Sequence, residues 1–174
     1  MNDKKTHIKV ELKNVKEWNT QDGGGAQFNV YVNGKRSFEF TDEGQGGDYG
    51  IVLLDTKEGP LSGWADVIPN ENAGVSIGPH QSKGLKTIID HVKALPVETD
   101  GKKLTVVLYL FRLLDKTMEE KQLKRWCRTK TVFSTPDCEN GEYRTLKCKY
   151  SEKAVTYIRG KYGPATVIHN EQFI

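Results

Sequence analysis

The chain is poor in the residues that mark secreted, membrane-bound or metal-organised proteins. Its only cysteines are Cys127, Cys138 and Cys148, an odd number with no CxxC pair. That spacing argues against a disulfide framework and against a structural zinc site. No apolar run approaches the roughly eighteen residues that a membrane-spanning helix needs. The opening MNDKKTHIKVELK also lacks the apolar stretch that follows the charges of a secretory signal. The expected setting is therefore a reducing cytoplasm, with no membrane. His7, His80, His91 and His169 are scattered and form no HxH, HExxH or HxE…CxxC pattern, so neither a metal nor metal-assisted hydrolysis is expected. No GxxxxGK[ST] loop is present, and no GxGxxG lies between a strand and a helix. No catalytic residue and no cofactor are expected.

What remains has the composition of a globular protein. Hydrophobic residues make up 36% and charged residues 28% of 174, with three Trp, seven Tyr and six Phe, enough aromatic and branched side chains to offset the entropy of ordering. This length suits one domain, residues 1–174, with 1–6 expected to be mobile. The net charge of +3 hides an asymmetry, because residues 1–100 carry −4 and residues 101–174 carry +7. Such a distribution steers an acidic partner toward one half, and it also arises from solvation alone.

The order of elements is partly legible. Ile8, Val10 and Leu12 alternate with charged neighbours, as in a half-buried strand. A flexible loop is expected at Asp22-Gly23-Gly24-Gly25. QFNVYV-NG-KRSFEF then reads as a β-hairpin turning at Asn33-Gly34. A two-residue turn would put Phe28 and Val30 on the face opposite Phe38 and Phe40. A three-residue turn of Val32, Asn33 and Gly34, bulged at Gly34, puts all four together and is the expected form. Residues 41–50 form a glycine- and acid-rich loop, Ile51 to Leu54 an apolar run, and the stretch to Pro79 irregular chain or a short helix near Trp64.

Ser82 caps a helix bearing Leu85, Ile88, Ile89, Val92 and Leu95, stopped by Pro96. Residues 104–114 are apolar on every side, which fits a buried helix or a buried strand. Helix is favoured by continuity with the next segment, in which Thr117 and Glu120 make a capping box for a helix carrying Leu123, Trp126 and Cys127. Strands at 129–135 and 142–149, a helix capped by Ser151 and ended by Gly163-Pro164, and a strand in ATVIHNEQF complete an α+β fold. Its expected plan is an N-terminal strand and hairpin, central helices, and a C-terminal hairpin plus helix.

The densest chemical signal is basic: Lys121, Lys124, Arg125, Arg128 and Lys130, with Lys147, Lys149 and Lys153 near in the expected fold. Cations at a helix C-terminus complement its dipole, each by roughly 0.3–1 kcal/mol, so solvated charge is one reading. The other is a phosphate-binding footprint, although no RNP, zinc-finger or helix-turn-helix pattern accompanies it. Binding residues are therefore expected among Lys121, Lys124, Arg125, Arg128, Lys130, Lys147 and Lys149. The glycine loops at 22–25 and 42–50 could surround an anion, but Asp42, Glu43 and Asp48 would repel it, leaving flexibility as their expected role. Cys127 lies among cations that would activate a thiol and beside Trp126 on an apolar face, where a small buried hydrophobe is expected. Cys138, exposed-looking in a turn, is expected to be reactive rather than catalytic.

Taken together, IKVELKNVK, FNVYVNGKRSFEF, TDEGQGGDYG and KRWCRTKTVF with the second hairpin and helix resemble small accessory proteins of tailed phages and prophages, over residues 7–170. The resemblance brings no activity and no catalytic residue. It implies a host-takeover or anti-defence factor that acts in the host cytoplasm by binding. Mimicry of DNA is excluded by the positive net charge. The expectation is a non-enzymatic binding protein for a host protein or an anionic nucleotide ligand. The alternative is a nucleic-acid-binding accessory protein using the cluster at 121–130, with Trp126 or Tyr143 as a stacking surface.

Overall fold

The computed structural model describes residues 8–46, 49–57, 59–65, 82–96 and 104–174, with 63–65 described in backbone only. The expected mobility of residues 1–6 and the irregular chain expected at 66–79 lie outside the described residues. The fold is α+β, and its contacts divide it into two compact units, Met1–Leu114 and Asp115–Ile174.

The first unit holds an antiparallel meander of five strands in sequence order: β1 (Val10–Asn19), β2 (Gly24–Val32), β3 (Lys35–Asp42), β4 (Tyr49–Leu53) and β5 (Leu61–Ala65). The expected apolar face forms, with Phe28 opposite Phe40 and Val30 opposite Phe38, all four buried. The turn that delivers it differs from expectation. It is a two-residue turn with Val32 opposite Lys35 and positive φ at both Asn33 (51°) and Gly34 (81°). These values match the turn whose twist suits a hairpin. The register is restored one step later, where Ser37 bulges out of the ladder between Arg36 and Phe38. The strand thus carries the extra residue that the turn was expected to carry.

Two further expectations are corrected here. The segment around Trp64 is strand, since β5 pairs with β4 from Tyr49–Ala65 to Leu53–Leu61 and extends the sheet. Of the expected loop 22–25, Gly24 and Gly25 belong to β2, and β1 runs on to meet them at Asn19 and Trp18. Close approach explains both glycines near this corner. A Cβ at Gly25 would overlap the Trp18 indole, and one at Gly44 would overlap the backbone of Gly24. The Thr20 hydroxyl lies 2.8 Å from the carbonyls of both Gly23 and Gly44, which share its one proton, and it ties the two glycine loops together.

Helix α1 (Lys83–Lys93) starts as the sequence predicts, with the Ser82 side chain accepting from the Leu85 N–H at 3.0 Å. It buries Leu85, Ile88 and Val92. Residues 106–114 are helical, as expected for most of 104–114, but the capping box at Thr117 and Glu120 is not one. A single helix, α2, runs from Val106 to Cys127, and the Thr105 hydroxyl accepts from the Leu108 N–H at its start. Amides just after Thr117 follow residues that are already helical, so they meet carbonyls four residues back and require no cap. In the first unit Phe111 sets its ring edge-on to Phe40 and to Tyr49, 5.9 Å in each case, which places residues 106–114 on the sheet's aromatic face.

The second unit centres on a three-stranded antiparallel sheet in which β6 (Thr131–Ser134) lies between β7 (Arg144–Leu146) and β8 (Val167–Ile168). Helix α3 (Glu152–Tyr162) is capped by Ser151 and stopped at Gly163, where φ is 94°, as the sequence predicts. Phe133, Val155, Ile158 and Ile168 form its core. The closing segment supplies only the two residues of β8 before it turns into a 3-10 helix, His169–Phe173. Among the described residues no helix is long and apolar enough to cross a membrane.

Candidate functional site

Both candidate sites lie within the second unit. Asn170 organises their common framework. It is buried, its Oδ1 accepts from the Val132 N–H (2.7 Å), and its Nδ2 donates to the carbonyls of Cys127 (3.0 Å) and Lys130 (2.9 Å). One side chain thereby fixes the end of α2, the start of β6 and the C-terminal 3-10 turn. The sequence gives no local sign of this role, because the partners are some forty residues distant.

Lys124 and Arg125 lie in the last turn of α2 with Lys121 a turn earlier and Arg128 just past its end, and Lys130, Lys147 and Lys149 flank the β6–β7 ladder. Lys121, Lys124, Arg125 and Arg128 follow the spacing that lines one side of a helix, and all four are exposed. Lys130 directly precedes β6, and the pairing of Thr131 with Leu146 brings Lys147 to the same end of the ladder. Lys147 and Lys149 are exposed and Lys130 is half-buried. Among the described residues none of the seven is in an ion pair. Cys127 is half-buried, and burial pushes its thiol up despite the cations beside it in sequence. This fits the inert small hydrophobe expected of it and opposes activation.

A second site was not legible in the sequence. A cleft of about 580 Å³ is lined by Ser134, Thr135, Tyr143, His169 and the glutamates Glu119, Glu139 and Glu142, with Cys138 and the turn around Gly141 completing its wall. Ser134 Oγ lies 2.8 Å from His169 Nε2, and Gln172 Nε2 lies 3.3 Å from His169 Nδ1. The imidazole meets Tyr143 edge-on at 4.9 Å, and Tyr143 meets Trp126 edge-on at 6.3 Å. The Tyr143 phenol donates to Glu119 Oε1. Partial burial, with that hydrogen bond and the nearby carboxylate, pushes the phenol up to about 12. Burial holds His169 below the ordinary imidazole value, partly opposed by the Glu119 charge.

Cys138 is half-buried at the cleft wall, its Sγ 3.3 Å from the Thr135 hydroxyl. Hydrogen bonds from the Thr135 side chain and backbone lower its thiol, and Arg144 adds to the effect. Arg144 itself is held by Asp137 at 2.7 Å. Among the described residues no three His, Cys, Asp or Glu side chains are arranged to hold a metal ion.

Comparison with known proteins adds no name to these sites: no protein-family model, no curated protein and no solved structure matches the chain.

Proposed function

We propose that the protein is a binding protein of a phage or mobile element that holds an anionic partner, a nucleotide or the acidic face of a host protein, on the basic residues at the end of α2 and the β6–β7 ladder. One observation carries the reading. Seven cations lie along the last turns of α2 and beside the β6–β7 ladder, and no carboxylate among the described residues pairs with any of them. Mutual repulsion of like charges costs free energy; an anion seated among them relieves it and gains charge-assisted hydrogen bonds. The takeover or anti-defence role follows from the resemblance to phage accessory proteins and from nothing else.

Nucleic acid is the competing occupant. The rings that would stack on bases, Trp126 and Tyr143, are half-buried and engage each other edge-on, so a small ligand or a protein is the better fit. Native mass spectrometry of the protein expressed in its host, beside the Arg125→Glu, Arg128→Glu double variant, tests the proposal. The expected result is a nucleotide or acidic protein bound to the parent and lost from the variant. Equal occupancy of both would refute the basic site; nucleic acid recovered from the parent alone would move the reading to the competing occupant.

A further inference from the structure

The cleft of the second unit brings together a hydroxyl and an imidazole that the binding reading leaves unused. Ser134 ends β6 and pairs with Val167, so His169, two residues beyond Val167, is its diagonal neighbour across the antiparallel pair, and the imidazole reaches back to the Ser134 hydroxyl. Their separation, 2.8 Å between Oγ and Nε2, is that of a nucleophile and its base. Gln172, one turn further on, contacts the other ring nitrogen. As placed, the Gln172 amide nitrogen donates to Nδ1, which leaves the ring proton on Nε2; a half-turn of this exposed amide would present Oε1 to Nδ1–H instead and fix the tautomer whose Nε2 accepts the serine proton. Asn140 and Gly141 line the same cleft, and their backbone N–H groups have no acceptor among the described residues. Backbone donors of this kind are what a developing oxyanion needs.

We propose that Ser134, with His169 as base, is the nucleophile of an acyl-transfer site for small esters that are uncharged or cationic. Charge selects the substrate class: Glu119, Glu139 and Glu142 wall the cleft, and neither Lys nor Arg is among its lining residues, so an acidic ester is repelled. In the reaction Ser134 Oγ attacks the ester carbonyl carbon while its proton passes to His169 Nε2. The bond to the leaving oxygen breaks, and that oxygen takes the proton from His169. Water, deprotonated by the same imidazole, then attacks the acyl-serine, releasing the acid and restoring the hydroxyl. The site shares no residue with the basic cluster, so either proposal survives the other's failure.

A fluorophosphonate probe, read by intact mass and peptide mapping on the full chain, tests it. The expected result is one adduct, on the peptide containing Ser134. It should be absent from Ser134→Ala and form at least tenfold more slowly in His169→Gln, with thermal melts showing both variants folded. Labelling should slow as pH falls through the titration of His169. Gln172→Glu should move that midpoint upward, because a carboxylate on Nδ1 favours the imidazolium; an unmoved midpoint would show that this side chain does not face Nδ1 in solution. Absence of an adduct from the folded parent, or an adduct mapped to another residue, would overturn the proposal, as would an unchanged rate in His169→Gln.

Discussion

Asn170 shows how much one buried side chain can hold. Its three hydrogen bonds satisfy two carbonyls and one amide from separate segments. Asn170→Ala should therefore cost roughly 2–4 kcal/mol, since removal of one partner leaves buried groups unpaired. Urea unfolding measures the loss, and a cost under about 0.5 kcal/mol, the range of an ordinary surface substitution, would contradict the role. Tyr143 makes a prediction about pH. Its phenol is raised from 10.0 to about 12 in the fold. The stability it contributes is fully present below the unfolded value, near 10, and is lost as pH rises through the folded value. Absorbance titration should find one tyrosine ionising near pH 12, removed by Tyr143→Phe, and that variant should lose less stability over this alkaline range.

Among the elements, two helical glycines make opposite predictions. At Gly160 in α3 an added Cβ meets nothing within 4 Å, so Gly160→Ala should stabilise by roughly 0.5–1 kcal/mol through helix propensity. At Gly84 in α1 the added Cβ would overlap the Ser37 side chain and come within 3.0 Å of Asp55 Oδ2. Gly84→Ala should destabilise by roughly 1–3 kcal/mol even though alanine is the better helix former. Thermal melts of the two variants should move in opposite directions; a rise in both would show that the bulge yields. The bulge at Ser37 is thus a packing surface for the start of α1. That start is anchored again by Asp55, which accepts the Gly84 N–H at 2.8 Å.

These elements also show what the sequence conveys. Ser82, Ser151 and Gly163 act through their own neighbours in the chain, and all three helix signals are in place. The apolar face of Phe28, Val30, Phe38 and Phe40 was readable because alternation records it. The bulge at Ser37 was not, since it depends on how turn and face are reconciled across two strands. The false capping box at Thr117 has the same origin: the local pattern is present, but helix already precedes it. β5 was hidden because LSGWA carries glycine and little alternation, and it forms by pairing with β4.

For the molecule as a whole, the basic excess of residues 101–174 includes seven cations, at 121–130, 147 and 149, that no carboxylate among the described residues pairs with. The basic site was legible because its core residues lie within ten positions, whereas the cleft draws on Glu119, Ser134, Tyr143 and His169. Serine and histidine separated by thirty-five residues leave no pattern for a reader of sequence. Asn170 sets the position of both sites from a place in the chain that carries no motif at all.

The central claim is that the unpaired cations hold an anion, and salt dependence tests it most directly. Binding to a panel of nucleotides should be followed from low to physiological salt for the parent and for the Arg125→Glu, Arg128→Glu variant. The account predicts parent affinity that falls steadily as salt screens the site, and affinity weaker by roughly tenfold or more in the variant at every salt concentration. Affinity that ignores salt and survives the double reversal would contradict it.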